Sequence, residues 1–290
     1  MSFQAGYRQV ELSDASGGPL PLVLLYPTRA AEQPVALGPY RLELAPGAAP
    51  AIGAFPLVLV SHGSGGSPLV YRTLARRLAR EGMVVALPEH PGNNRNDNSQ
   101  ADTLANFVNR PDHIRRTIDY CLTEFAACLR PGAVAVIGHS LGGYTALALA
   151  GGKPVTVPSP EHPPQPIPVQ ADARVRALVL LAPALIWYAL LPGALSAVQL
   201  PILLLLAERD EMLPSEALRQ LLAEGLPEPG LLEWRLIPGA GHFAFLSPFP
   251  ASMSRPGFAP AQDPPGFDRA RFQPELEAEV LAFLRRVLAA

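Results

Sequence analysis

The chain has 290 residues, 49% of them hydrophobic and 17% charged, with a formal net charge of −2. That supplies the core of one large α/β domain, so a single domain spanning 1–290 is expected. The near-neutral balance leaves no basic footprint for nucleic acid or anionic membrane and points to small neutral partners.

Residues 1–27 hold no basic segment followed by an apolar one, so the chain reads as cytoplasmic. Runs at 7–12, 21–26 and 40–44, set apart by Gly, Pro and Asp, suit antiparallel strands at a sheet edge. From residue 55 the rhythm changes. Apolar runs at 55–60, 83–87 and 133–137 alternate with helical patterns at 71–80 and 113–129. Strands separated by helices imply right-handed crossovers and a mainly parallel sheet covered on both faces. Cys121 and Cys128 are the only cysteines, and seven residues along a helix separates them by about 10 Å, too far for a disulfide.

Residues 177–207 carry no charge, yet Pro183, Pro192 and Pro201 divide them into strand, short apolar segment and strand rather than a membrane span. Another strand is expected at 231–237 and a closing helix at 274–288. Two proline-rich insertions, at about 151–175 and 246–273, interrupt the pattern. The first is densest at 154–168 and reads as a surface excursion. The second follows His242 directly, which makes it a candidate wall or lid.

The chemistry sits at the ends of strands. Gly138-His139-Ser140-Leu141-Gly142 lies between an apolar strand and an Ala- and Leu-rich helix, the setting in which glycines turn the backbone so sharply that a serine stands exposed above the sheet. A serine hydroxyl needs a base, and His242 in Gly239-Ala240-Gly241-His242 is placed to supply one. Asp210 is the expected orienting acid, preferred over its neighbours Glu208 and Glu211. The anion formed on attack needs two backbone N–H donors. Leu141 offers one and Ser64, in the glycine-rich stretch 61–66, the other. His62, His90, Trp187 and Phe243 are possible pocket residues, and Tyr188 and Phe245 could join them. The loop Glu89-His90-Pro91-Gly92-Asn93 is read as a turn that shapes the pocket. The histidines show no zinc-ligand spacing and no loop fits a phosphate, so neither metal nor cofactor is expected.

Together with Tyr26-Pro27-Thr28 and Ala240-Gly241-His242-Phe243-Ala244-Phe245, these stretches resemble the α/β-hydrolase superfamily. Within it they are similar to the predicted dienelactone hydrolase-like proteins and the platelet-activating-factor acetylhydrolase group. The Ser…Asp…His order is that of the superfamily, although dienelactone hydrolases themselves carry cysteine where this chain has Ser140. The resemblance implies an α/β-hydrolase fold with antiparallel N-terminal edge strands. It also implies a serine hydrolase cleaving small to medium carboxylic esters through an acyl-enzyme on Ser140. The alternatives are a phospholipid acetylhydrolase and a non-catalytic binding protein that keeps the fold.

Overall fold

A computed structural model describes residues 3–289. The described strands are β1 (Gln4–Ser13), β2 (Pro19–Thr28), β3 (Gln33–Leu37), β4 (Tyr40–Pro46), β5 (Phe55–Ser61), β6 (Val84–Pro88), β7 (Leu129–His139), β8 (Val175–Leu181), β9 (Ile202–Ala207) and β10 (Leu232–Ile237). They form one sheet in the order β10-β9-β8-β7-β5-β6-β2-β1-β4-β3. From β6 to β10 the neighbours are parallel, whereas β2 runs antiparallel to both β6 and β1. This is the α/β-hydrolase fold, a mostly parallel sheet with helices on both faces and antiparallel strands at the N-terminal edge.

The central strands are apolar on both sides, and their alternation explains why. Val58, Val60, Ile137, Val179 and Leu205 face α1 (Arg72–Arg80) and α6 (Arg269–Val287). Leu57, Leu59, Val136, Leu178 and Leu204 face the opposite way. There they meet α2 (Leu104–Glu124), α3 (Leu141–Leu149) and α5 (Ser215–Gly225). A strand buried on both faces has no polar stripe to display, which is why these segments read as continuous apolar runs.

Several boundaries differ from expectation. The helix expected at 113–129 is α2, which begins nine residues earlier at a Thr103 cap whose Oγ1 accepts from Asn106 N. It runs through Pro111, whose missing N–H frees the Phe107 carbonyl, and that carbonyl takes the Tyr144 hydroxyl instead. It stops at Glu124, leaving Cys128 outside, and both cysteines are buried and unpaired. The closing helix α6 likewise starts earlier, at an Asp268 cap that accepts from Arg271 N. The charge-free stretch is β8, the short α4 (Ile186–Ala189) and β9, and no described helix is long and apolar enough to cross a membrane. β3 and α5 were not anticipated.

Strand order decides where a site can form. After β5 the chain moves to β6, then returns to place β7 on the other flank of β5. The crossovers therefore diverge between β5 and β7, and open parallel sheets leave a crevice at the carboxyl ends of such a pair. The loop 61–67 leaves β5 there, and the turn to α3 leaves β7.

Candidate active site

Ser140 joins β7 to α3 with φ 52° and ψ −120°, a conformation that L-residues avoid and that turns the chain abruptly. The flanking glycines are required by space. A Cβ at Gly138 would lie 2.2 Å from the Gly142 carbonyl oxygen, and one at Gly142 only 1.9 Å from the Ser61 carbonyl oxygen. The turn is held by Ser140 N–H donating to Leu181 O at 3.0 Å and by Gly143 and Ala184 N–H donating to the Ser140 carbonyl.

His242 Nδ1 lies 2.9 Å from Asp210 Oδ2, and both side chains are almost completely buried. The other Asp210 oxygen accepts from Met212 N and Leu213 N, each at 2.9 Å. Burial by itself would raise the Asp210 carboxyl, but the His242 bond and the two backbone donors outweigh it and hold the group below its ordinary range. Glu208 accepts from Gly239 N instead, and Glu211 is exposed.

His139, the residue between Gly138 and Ser140, ties this turn to the histidine loop. Its Nδ1 accepts from the Tyr71 hydroxyl at 2.9 Å and its Nε2–H donates to the His242 carbonyl at 3.1 Å. Burial pushes His139 down to about 3, so the ring is neutral and can accept at one nitrogen while donating from the other. Nothing in the spacing of Tyr71 and His139 announced this contact.

Ser140 and His242 line one cavity of about 370 Å³. Its floor and rim come from Gly63, Ser64, Gly65 and Gly66, and its walls are aromatic, with Tyr40, Tyr71, Phe243, Phe249 and Phe258. The second proline-rich insertion supplies the far wall through Phe249, Met253, Phe258 and Pro260. Buried Arg269 pins that wall, donating to Pro260 O at 2.6 Å, to Gln262 O at 3.0 Å and to Asp263. The N–H groups of Ser64 and Leu141 have no acceptor among the described residues, Leu141 being the first residue of α3.

Of the four pocket residues expected from the sequence, Phe243 alone lines this cavity. His62 and His90 lie behind the loop, fully buried. His62 Nδ1–H donates to Gly63 O at 2.8 Å and its Nε2 accepts from His90 N at 3.0 Å. His90 Nε2 faces Ser61 Oγ at 2.9 Å and its Nδ1 faces His113 Nδ1 at 3.1 Å. Both rings are used up as internal struts, which corrects the expectation that they meet substrate. Trp187 packs on Phe107 and Tyr144, with centroids at 4.6 and 5.2 Å, away from the cavity. Tyr188 donates to the Tyr144 carbonyl and is likewise internal. No group of three or more metal-ligating side chains is arranged to hold an ion among the described residues.

Comparisons with known proteins bear on the fold that carries these residues. Over its whole length the chain is similar in structure to a ferulic acid esterase from Streptomyces cinnamoneus, with a TM-score of 0.74, 25% identity, and coverage of 99% of this chain and 91% of that one. A predicted CIB-like hydrolase from Thermoplasma acidophilum shares the fold at 14% identity, with a TM-score of 0.56 over 97% of this chain and 99% of that one. No curated protein sequence matches. Residues 57–197, which hold most of β5, all of β6, β7 and β8, the glycine-rich loop and the serine turn, match the alpha/beta hydrolase family, and the chain carrying them has that family's fold.

Proposed function

We propose that this protein is a serine esterase acting on carboxylic esters through an acyl-enzyme. One observation carries the reading: His242, paired with buried Asp210, and Ser140 line a single cavity together with Ser64, whose N–H has no acceptor among the described residues. Ser140 Oγ attacks the ester carbonyl carbon while His242 Nε2 takes its proton, and Asp210 holds the ring through Nδ1–H. The oxygen of the tetrahedral adduct accepts from Ser64 and Leu141 N–H. His242 then returns the proton to the departing alkoxide, leaving an acyl-Ser140 ester. Water, activated by the same ring, attacks that ester to release the acid and restore the hydroxyl.

The aromatic wall narrows the substrate to esters whose acyl part is a flat ring or a short chain. The likeness to a ferulic acid esterase supports an aromatic acid. The motifs' similarity to platelet-activating-factor acetylhydrolases raises short-acyl phospholipids as the competing substrate, but the exposed Ile186 and Leu191, which would bind a lipid surface, lie outside the cavity lining.

A fluorophosphonate probe tests the chemistry. Labelling of the wild type and none of Ser140→Ala is expected, together with faster turnover of methyl ferulate than of an acetylated phospholipid. An unlabelled wild type would return the protein to the class of binding modules that keep the fold.

A further inference from the structure

The steps above leave one large buried charge unused. Arg110, on α2, has no exposed surface, and every group it bonds is neutral. Nε donates to Thr145 Oγ1 at 3.1 Å, Nη1 to Asn93 Oδ1 at 2.7 Å, and Nη2 to Ser61 Oγ at 3.3 Å and to the His62 carbonyl. Taking a cation out of water without a carboxylate partner is costly, so stability alone does not account for it.

Its partners lead to both expected oxyanion donors. Ser61 and His62 open the loop that runs on to Ser64. Asn93, fixed by Arg110 through its oxygen, donates from Nδ2 to Ser64 Oγ at 3.0 Å and to Asn98 Oδ1 at 2.7 Å. On the other side Thr145 Oγ1 donates to the Leu141 carbonyl at 3.2 Å. One guanidinium therefore reaches the Ser64 side through Asn93 and the Leu141 side through Thr145. The planar fork of arginine can hold such divergent acceptors at fixed angles, which a lysine cannot.

We propose that Arg110 is a positioning residue of the esterase reaction, setting the separation of the Ser64 and Leu141 N–H groups and keeping a positive charge behind them. The inference rests on the esterase reading and deepens it. Although burial brings Arg110 down to about 9, it stays cationic at neutral pH. An interior cation with only neutral partners becomes better compensated when negative charge appears on the substrate oxygen. The interaction thus strengthens from ground state to transition state, and only such interactions raise kcat.

The test uses the full-length protein with a p-nitrophenyl ester and a trifluoromethyl ketone, whose adduct with a serine bears the same oxyanion. Asn93→Ala, which cuts the link to Ser64 Oγ and removes the Nη1 acceptor but leaves Arg110 bonded to Thr145, Ser61 and His62, is expected to lower kcat by about ten-fold with KM nearly unchanged, because a misplaced donor loses part of the transition-state bond and little of the ground-state one. The trifluoromethyl ketone inhibition constant should rise by the same factor. Ser64→Ala removes only the Oγ end of that link, so the Asn93→Ala/Ser64→Ala double variant should be no slower than the slower single one. Arg110→Lys should recover part of the activity lost in Arg110→Met.

Multiplying losses in the double variant, or an unchanged inhibition constant in Asn93→Ala, would overturn the proposal even if Arg110→Met fails to fold. A wild type that neither reacts with the fluorophosphonate nor turns over ester would overturn the esterase reading itself, a separate failure.

Discussion

Lowering the pH from 7 to 5 should destabilise this protein far more than its carboxylates would suggest. Burial, followed by the charge of Arg110, lowers His62 to about 3 and His113 to about 4, and holds His90 well below its ordinary value. Burial, followed by the neighbouring His242, brings His139 to about 3. In the unfolded chain each ring protonates near pH 6.5, whereas in the native protein it stays neutral, so acid favours the unfolded state. The stability associated with neutral rings is present above about pH 6.5 and is lost progressively below it, down to the native values of about 3 to 4. Between pH 7 and 5 each ring contributes a loss on the order of 2 kcal/mol, so His62, His113 and His139 together remove roughly 6 kcal/mol. That is comparable to the whole stability of an ordinary domain, roughly 5 to 15 kcal/mol. The Asp210 carboxyl, held low, does not protonate in this window. Urea unfolding followed by circular dichroism at both pH values measures the loss directly, and His113→Gln should shrink it by roughly a quarter to a third. Equal midpoints at pH 7 and 5 would refute the reasoning, since neutral interior histidines cannot coexist with pH-independent stability in that range.

Three further outcomes are expected. Asp210→Asn should lower kcat by on the order of 10⁴ in the p-nitrophenyl ester assay, while Glu208→Gln and Glu211→Gln change it little, because of these three carboxylates Asp210 is the one that bonds the His242 ring. Gly142→Ala, whose Cβ would sit 1.9 Å from the Ser61 carbonyl oxygen, should lose fluorophosphonate labelling and melt well below the wild type in calorimetry. Phe249→Ala should raise KM for methyl ferulate several-fold while leaving p-nitrophenyl acetate hydrolysis close to wild type, since it removes a wall that only a bulky acyl group touches.

The sheet and the proposed Ser140 and Asp210 were legible because each sits just past a strand whose two-sided burial shows as an apolar run, whereas His242 follows the edge strand β10, which carries Glu233 and Arg235, and was legible from the small residues around it and its place after Ser140 and Asp210 in the chain. β3 was missed because Pro34 interrupts a run of only five residues, and a proline argues against a strand everywhere but at a sheet edge, which is where β3 lies. α5 does carry leucines at 218, 221 and 222 after Pro214, a helical spacing overlooked beside the acidic cluster before it. The expected pocket erred for a different reason. His62 and His90 occur in the loops that shape the site, but strand register alone does not tell whether a loop side chain faces the crevice or the interior. The Arg110 links to Thr145, His62 and Ser61 span 35, 48 and 49 residues, contacts that only the assembled sheet brings together. Its nearer partner, Asn93, lay in a loop already read as a structural turn.

The far wall of the cavity comes from one continuous stretch of chain, 249–260, placed after the last of the three proposed reacting residues and before the helix that closes the fold. It contributes no strand to the sheet, so its residues can be exchanged without disturbing the register that brings Ser140, Asp210 and His242 together. Selection for a different acyl group can therefore act on this passage alone, as an interchangeable cassette in which insertions and aromatic swaps alter selectivity while the chemistry is inherited intact. Anchoring by Arg269 lets such a cassette vary between its fixed points without becoming a floppy loop.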